Sequence, residues 1–589
     1  MKQRCRHMIA ALLIGGSACF GARVSADDPR KMGECASRAM PACELRIKVE
    51  CASPEAAERA ELKFLPLPPG KTVAFSCRWD DTNTRHLRMK RLMLKYGYKG
   101  TFYITDPNAA YIRDILPELC KDGCTVGNHT LSHFHLPMMT PNGIFYEMLG
   151  ARIRHETLTG QTETAFIFPY GSAGSAFFPE VEDVIAGCLR RTGILGGPDA
   201  PMTRLNQRPG NEFFNTEGCN IRPGDRNTKA EKFDADVRRS LPKAGRTAHL
   251  TLGVHVWHSD ADFVELEKAL KKHAGRPDWW YCSENEFLAY AHMFRHSRII
   301  GKKRDGRTLF FTLEVPCPEY LGSTTPLWAR CDGKEIEIRH TRKLPQRIAA
   351  ALPTGSVPEF PDFDAKLFRP ASDRIRFEAE NRGAPLRDVR LILRLPPEFV
   401  EETLCCHVGD ISGKFSKEWQ VHPNPKRRSS GKMLTALQID FTRDGSGGRI
   451  WVSRTEEKPA RPVAEVFASS RRFSPQELKE LARPGTAPAG FLPIPHRLGD
   501  RETTLRIPRK IIGAGNPLTL LMDFQGGAKM TLRGNLPDAT ILCNGEKVET
   551  GGGTVRFDAP PGKCRLLLQY GKSKYACLQL ILAPETADR

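Results

Sequence analysis

The first half of the chain alternates between short apolar runs and longer amphipathic runs. Apolar runs of strand length predict five buried strands, at residues 72–77, 100–105, 125–126, 164–168 and 249–256. Apolar residues at helical spacing predict four helices, at residues 84–96, 111–121, 142–159 and 284–294. Strands that alternate with helices of this length favour a parallel α/β sheet or barrel, in which the chemistry lies at the C-terminal ends of the strands.

The pattern changes after about residue 297. Apolar and polar residues then alternate in short runs, for example at residues 308–313 and 390–395, and turn signals such as Asn544-Gly545 separate them. This texture is typical of antiparallel strands in sandwich-like modules. The sequence therefore predicts an α/β domain followed by all-β domains.

The N-terminal residues have the pattern of a secretory signal peptide. Basic residues precede an apolar run at residues 8–20 that is too short to span a bilayer, and small residues at 24–26 provide a cleavage point. We expect a secreted or periplasmic protein. The alternative is a lipoprotein with Cys19 as the acceptor, which Gly16 disfavours because a larger aliphatic residue is usual there. No later segment reaches 18 uninterrupted apolar residues, so we expect no transmembrane segment.

These patterns predict a division of the 589 residues into several units. They are a signal peptide (1–26), a cysteine-containing N-terminal segment (27–65), the α/β domain (66–297), a β module (298–362), a β-sandwich-like domain (363–460), a linker (461–500) and a C-terminal β domain (501–589).

Charge and cysteine content refine this picture only slightly. The formal net charge is +20, but the basic residues are spread along the whole chain, which favours a solvated surface over a nucleic-acid partner. Export permits disulfide bonds, and Cys35, Cys43 and Cys51 are the best candidates among the 18 cysteines. Their connectivity does not follow from the sequence, and neither does the oligomeric state.

Polar residues follow several of the predicted strands. Asp80 and Asp81 come just after the first strand, where adjacent carboxylates are costly unless they hold a cation or do acid–base work. His129 and His133 follow the third strand and stand four apart, so on a helical turn both imidazoles point to the same side. In a barrel these side chains converge on one mouth, which predicts a metal site.

The motifs in this order resemble the polysaccharide deacetylase family, that is, the NodB-homology domain of carbohydrate esterase family 4. The motif residues are Trp79-Asp80-Asp81, His129-Thr130-Leu131-Ser132-His133, Phe168-Pro169-Tyr170 and Leu252-Gly253-Val254-His255. Residues 99–104 and 119–129 also look like the family's second strand and its approach to the metal histidines. The resemblance covers roughly residues 68–297.

The resemblance implies a distorted (β/α) barrel that binds a divalent metal, usually zinc. Asp81, His129 and His133 correspond to the metal ligands, and Asp80 to the general base that takes a proton from water.

Two further roles follow from the same resemblance. The backbone N–H of Tyr170 corresponds to the oxyanion donor. His255 corresponds to the acid that protonates the leaving group, with His258 as the alternative.

The sequence departs from the family at two places. Thr82 and Asn83 replace the glycine that usually follows the aspartate pair, and Ile167 stands where many members have an arginine that pairs with the base-orienting aspartate. No partner aspartate motif is evident. The residue that orients Asp80 is therefore not identified by these motifs.

The resemblance implies a secreted, metal-dependent deacetylase that hydrolyses N-acetyl groups of amino sugars in a polysaccharide or oligosaccharide. The partner is then a carbohydrate substrate. An O-acetyl carbohydrate esterase with the same site is one alternative, and a non-catalytic carbohydrate-binding protein that keeps the fold is another. The complete set of three ligands with Asp80 argues against the last of these.

Overall fold

The computed structural model of the chain describes residues 42–584 apart from short gaps. These gaps are residues 106–109, 175–180, 207–213, 216–219, 222–228, 254, 257–258, 341, 426–430, 459–463, 486–488, 494–496, 500–501, 509–516, 535, 537–538, 550–552 and 571–576. The predicted signal peptide, the lipoprotein acceptor Cys19, Cys35 and His258 lie outside the described residues. Within the described ranges no helix is both long enough and apolar enough to cross a membrane.

The described chain begins with a short strand–helix–strand segment. Its elements are β1 (Ala42–Glu50), α1 (Pro54–Arg59) and β2 (Lys63–Phe64). Ser53 caps α1, because its hydroxyl accepts a hydrogen bond from the backbone N–H of Ala56. Both strands of this segment pair with strands that follow the α/β domain in sequence.

The α/β domain follows, and its strands and helices alternate as the periodicity predicts. Its strands are β3 (Val73–Asp80), β4 (Gly100–Ile104), β5 (Thr125–Asn128), β6 (Gly196–Gly197), β7 (Phe214–Asn215), β8 (Asn220–Ile221), β9 (Ala248–Leu252) and β10 (Trp279–Tyr281). Its helices are α2 (His86–Lys95), α3 (Ala110–Leu119), α4 (Pro141–Thr159), α5 (Val181–Thr192), α6 (Ala200–Asn206), α7 (Ala230–Ser240), α8 (Asp260–His273) and α9 (Glu284–His296).

The strands of this domain pair in parallel, in the order β5-β4-β3-β9-β8, and β10 also pairs with β3. Isolated parallel bridges from Asn128 to Phe166 and from Ala165 to Gly196 continue the path to β6 and β7. The predicted strand at 164–168 is therefore present only as two bridges. All β3 residues are buried, which explains why the strand reads as a continuous apolar run until Arg78.

A small β unit packs against the last helix of this domain. It contains β11 (Arg298–Asp305), β12 (Thr308–Pro316), α10 (Pro318–Leu321), β13 (Leu327–Cys331) and β14 (Lys334–Ile338). β1 pairs with β12 and β2 pairs with β13, both antiparallel, around a core that includes Leu288 and Met293 of α9. Residues 42–64 and 298–338 thus form one unit, whereas the sequence pattern predicted two separate ones.

The next β domain is a mixed sheet with its own core. Its strands are β15 (Pro345–Ala350), β16 (Phe363–Ala371), β17 (Arg374–Arg394), β18 (Thr403–Gln420), β19 (Gly431–Arg443) and β20 (Ser446–Lys458). They run in the order β15-β20-β19-β17-β16, with β18 also on β17. β15 pairs in parallel with β20, so it belongs to this domain and not to the predicted module at 298–362.

The C-terminal part forms two antiparallel sheets with a shared core. Its elements are β21 (Ala464–Ser469), α11 (Pro475–Leu481), β22 (Leu492–Pro493), β23 (Arg497–Gly499), β24 (Glu502–Pro508), β25 (Leu518–Gly526), β26 (Lys529–Gly534), β27 (Ala539–Cys543), β28 (Glu546–Lys547), β29 (Thr554–Asp558), β30 (Gly562–Tyr570) and β31 (Cys577–Pro584). β21 pairs with β25. The segment 461–500, predicted as a linker, thus contributes strands to the domain.

A buried ionic interface joins the α/β domain to the sheet of β15–β20. Arg449 of β20 is fully buried and donates to Glu156 of α4 at 2.9 Å and to Asp440 of β19 at 2.6 Å. Trp451 also donates to Glu156, at 2.9 Å. Arg191 of α5 donates to four carbonyl oxygens, those of Leu395, Pro396, Phe399 and Glu401. The β domain therefore packs directly against α4 and α5 of the α/β domain.

Candidate metal centre

The candidate ligands meet at the C-terminal edge of the parallel sheet. Asp81 directly follows β3, and His129 directly follows β5. Oδ1 of Asp81 lies 3.3 Å from Nε2 of His129 and 3.2 Å from Nε2 of His133. One ligand atom from each residue falls within 4.8 Å of the other two, so the three residues form a group that could hold a metal ion.

The two histidines do not lie on a helix, contrary to the sequence prediction. Residues 129–135 form a loop, and the chain turns back because Thr130 and His133 have φ angles of +65° and +52°. The side chain of Asn128 accepts from Thr130 N–H at 3.0 Å, and the Thr130 hydroxyl accepts from His133 N–H at 3.1 Å. These bonds hold a left-handed backbone that costs about 1–3 kcal/mol at each such residue.

The surroundings of His129 fix which ring nitrogen faces the site. Its Nδ1 lies 3.0 Å from the carbonyl oxygen of Ile167, which accepts the Nδ1 proton. With Nδ1 committed to this bond, Nε2 is the nitrogen that faces Asp81 and the site. Ile167 thus orients a ligand through its backbone, although its side chain is apolar and buried.

The electrostatics of the group suit a cation. Burial alone raises the pKa of Asp81, but the bonds from His129 and His133 outweigh it and hold this pKa far below its usual range. Burial alone lowers the pKa of His129, but the neighbouring carboxylates of Asp81 and Asp80 outweigh it and raise this pKa. Two imidazole nitrogens and one ionised carboxylate fit a divalent ion that keeps an open position.

Asp80 is held by an arginine that sequence reasoning missed. The buried guanidinium of Arg78 donates to Oδ2 of Asp80 at 2.7 Å. Arg78 and Asp80 are two residues apart on β3 and therefore share a face of the strand. Oδ1 of Asp80 is buried and has no hydrogen-bond partner among the described residues. The carboxylate is thus fixed through one oxygen and leaves the other available.

A second carboxylate, Asp199, faces Arg78 from the start of α6. It accepts from the backbone N–H of Phe168 at 2.9 Å and of Met202 at 3.1 Å. Burial lowers the pKa of Arg78, but the charges of Asp80 and Asp199 outweigh it and raise this pKa. Asp199 acts on Arg78 through its charge, and Nε and Nη1 of Arg78 have no hydrogen-bond partner among the described residues. Arg78 is therefore the side chain that orients Asp80, and it comes from β3 and not from the position of Ile167.

His255 reaches the same site from β9. It forms a parallel bridge with Asp80, and its Nε2 lies 3.6 Å from Oδ2 of Asp81. The chain between β9 and His255 requires glycine at position 253. The φ of Gly253 is +105°, and a Cβ there would lie 2.4 Å from the carbonyl oxygen of Arg78. Of the two candidate acids, His255 is thus beside the ligands, and His258 lies outside the described residues.

Tyr170 lies at the rim of the site. Its ring centroid is 4.8 Å from that of His133, and its side chain is exposed. The φ of Tyr170 is +61°, so Asp81, Thr130, His133 and Tyr170 all adopt left-handed backbone around one site. Four of the nine described non-glycine residues with positive φ therefore lie at this site.

Glu147 of α4 supports the loop that carries the two histidines. Its carboxylate accepts from the backbone N–H and from the hydroxyl of Ser132, both at 2.7 Å. Its carbonyl oxygen also accepts from Leu131 N–H at 3.1 Å. Glu147 is buried and sits behind the loop, where it can set the position of His133.

We expect Arg78→Met to lower kcat by about 10–100-fold with little change in KM, because a misplaced base costs rate and not substrate binding. Arg78→Lys should recover part of the loss. Acetate-release kinetics on metal-loaded, folded protein measure both effects. The matched control is Arg88→Met, on the exposed side of α2, which should leave kcat unchanged. An unchanged kcat in a folded Arg78→Met protein would contradict the positioning role.

We expect Glu147→Gln to weaken metal affinity by about 10–100-fold, the usual effect of losing a partner that orients a ligand. Competition with a chromophoric chelator measures the affinity directly. Glu118→Gln, at the exposed end of α3, is the control and should bind metal as the parent does. Equal metal affinities for the two variants would show that Glu147 does not set the position of the metal ligands.

Three side chains at the C-terminal edge of a parallel sheet, with a second carboxylate beside them, form a group that could hold a metal ion. Residues 69–184 match the family described as polysaccharide deacetylase, which confirms the family resemblance of this segment. The match includes Asp80, Asp81, His129, His133 and Tyr170 and ends before His255. No curated protein matches the chain.

Solved structures of carbohydrate esterases and deacetylases are similar to part of the chain. The Xyl-CE4 domain of a multidomain xylanase from the hindgut metagenome of Trinervitermes trinervoides is 14% identical, with 37% of this chain and 90% of that chain covered and a TM-score of 0.27. For a peptidoglycan deacetylase from Bacillus subtilis the values are 16%, 38%, 92% and 0.25. For a family 4 carbohydrate esterase from Streptomyces lividans in complex with acetate they are 14%, 36%, 91% and 0.26. The family resemblance rests on the match at residues 69–184.

Proposed function

We propose that this chain is an exported, metal-dependent deacetylase that hydrolyses N-acetyl groups of amino sugars in a polysaccharide or oligosaccharide. The observation that carries the proposal is the convergence of Asp81, His129 and His133 with an oriented Asp80 at one edge of the sheet. The export signal at residues 1–26 supports an extracellular or periplasmic glycan as the substrate. The proposed fold of residues 66–297 is a distorted (β/α) barrel.

The donor set favours zinc as the ion. Nε2 of His129, Nε2 of His133 and a carboxylate oxygen of Asp81 are ligands that zinc prefers, and three protein ligands leave room for water. The ion, when bound, acidifies water and polarises the acetyl carbonyl.

The side chains then divide the proton transfers between them. Asp80 accepts a proton from the attacking water on Oδ1, while Arg78 holds Oδ2. The backbone N–H of Tyr170 donates to the oxygen that becomes negative in the tetrahedral state. His255 gives a proton to the departing sugar nitrogen as the carbon–nitrogen bond breaks, so that acetate and a free amine leave.

Acetate release on a glycan panel, with bound metal measured in the same samples, tests the proposal. N-acetylglucosamine oligomers should release acetate in a reaction that a chelator abolishes and zinc restores. Release from acetylated xylan alone would instead identify an O-acetyl esterase. Glycan affinity with no acetate from any substrate, unchanged by Asp80→Asn, would identify a non-catalytic binding protein.

A further inference from the structure

Four buried cysteines lie in two pairs between the N-terminal segment and the small β unit. Cys43 is on β1, and Cys51 is just past the end of that strand. Cys317 follows β12, and Cys331 ends β13. Each of the four side chains is at most 3% exposed. The two segments that contribute them are separated in sequence by the whole α/β domain.

The first pair is in direct contact. Sγ of Cys43 lies 2.7 Å from Sγ of Cys317. The antiparallel register brings the strands together here, since Ala42 lies opposite Pro316 and Cys43 opposite Val315. The two cysteines are therefore diagonal neighbours on one face of the strand pair.

The second pair meets at the other end of β1. The backbone N–H of Ala52 donates to the side chain of Asp332 at 2.8 Å, so the residues that follow Cys51 and Cys331 are bonded to each other. Cys51 also contributes to the raised pKa of Cys331, so the two thiols are near neighbours. Both ends of β1 thus present a thiol to a thiol of the same β unit.

We propose that Cys43 bonds to Cys317 and Cys51 to Cys331 as two disulfides that fasten the N-terminal segment to the small β unit. The first bond spans 274 positions of sequence and encloses the entire α/β domain in one covalent ring. The N-terminal segment is then covalently attached to the small β unit, next to the core that both share with α9.

Each bond forms by thiol–disulfide exchange with an oxidant that is itself a disulfide. One cysteine thiolate attacks the oxidant, which releases one thiol, and the second thiolate then displaces the other. The pair loses two electrons and two protons, and the oxidant becomes two thiols. Burial, reinforced by Cys43, raises the pKa of Cys317, and burial, reinforced by Cys51, raises that of Cys331. The exchange therefore takes place while the chain folds, before these thiols are enclosed.

Peptide mapping tests the pairing. The full chain is produced with export to an oxidising periplasm, alkylated under denaturing, non-reducing conditions, digested and analysed by mass spectrometry. The expected products are one peptide pair linked through Cys43 and Cys317 and another linked through Cys51 and Cys331, both lost on reduction. Alkylation of all four thiols, or a bond between Cys43 and Cys51, overturns the proposal.

A stability measurement gives an independent readout. Reduction should lower the Tm of the parent protein by roughly 5 °C or more, because the ring closes a very long loop. The Cys43→Ser/Cys317→Ser variant should lose its linked peptide and keep the Cys51–Cys331 link. Cys120→Ala is the control and should retain both links. A parent Tm that reduction leaves unchanged contradicts the proposed fastening, and the peptide map decides the pairing even where a variant does not fold.

Discussion

Replacement of Asp80 with Asn is expected to reduce kcat for acetate release by about 10²–10⁴-fold and to leave bound metal unchanged, because a general base contributes on that order. The amide of Asn still accepts from Arg78 at the position of Oδ2 but takes no proton from water. His133→Ala, in contrast, should lose both the metal and the activity, because it removes one of three ligands. Metal analysis and initial rates on the same preparations separate the two results.

Asp122→Asn is a suitable control for the first variant. Asp122 is an exposed aspartate with a φ of +59°, a conformation that Asn tolerates well, and it lies away from the site in the turn before β5. It should keep full activity and metal content. Full metal occupancy in His133→Ala would refute the ligand assignment, and full turnover in Asp80→Asn would refute the role of the base.

Within the described residues, the local patterns of the α/β domain predicted four of its eight helices (α2, α3, α4 and α9) and four of its eight strands (β3, β4, β5 and β9). Apolar runs such as β3 and amphipathic runs such as α2 predicted elements within a few residues of their observed ends. The histidine loop shows why the same reasoning failed locally. Spacing of four residues fits one face of a helix, but it also fits a loop with two left-handed residues, Thr130 and His133. The two histidine rings do face the same site, as predicted, but the predicted helical backbone is wrong.

The sequence contained enough information to predict which residue orients the base Asp80. Arg78 precedes Asp80 by two residues on a buried strand, so alternation alone places both on one face. Asp199 could not be found in the same way. Asp199 comes near Arg78 because α6 begins beside Phe168, whose backbone N–H donates to Asp199 across a separation of 31 positions. The pairing of β1 with β12 is more distant still, and no local pattern encodes it.

Replacement of Arg449 with Met is expected to lower the free energy of unfolding by about 3–5 kcal/mol, because it leaves two buried carboxylates without their shared cation. Glu156 and Asp440 both pair with this guanidinium, Glu156 has Arg152 as a second cation, and neither carboxylate is solvated. The loss should destabilise α4 as well as β20, and α4 carries Glu147 behind the histidine loop. Chemical denaturation measures the loss, and hydrogen exchange on α4 locates it.

Arg454→Met on the same strand is the control. Arg454 is partly exposed and pairs with Glu456 near the surface, where such pairs contribute under about 1 kcal/mol. If Arg449→Met and Arg454→Met lower the free energy of unfolding equally, the buried ion pairs of Arg449 do not stabilise the interface. A smaller loss in the triple variant Glu156→Gln/Asp440→Asn/Arg449→Met than in Arg449→Met alone would show that uncompensated carboxylates cause the damage.

The pH dependence of the same interface has a definite sign. Burial raises the pKa of Glu156, but the charges of Arg152 and Arg449 outweigh it and lower this pKa to about 2, against an ordinary value of 4.5. A carboxyl with a depressed pKa stabilises the fold above its ordinary pKa, and this contribution is lost as pH falls from about 4.5 toward 2. Glu156→Gln should remove that part of the acid sensitivity. Because the interface supports the helix behind the metal loop, acid that protonates Glu156 should weaken the catalytic domain and the β domain together.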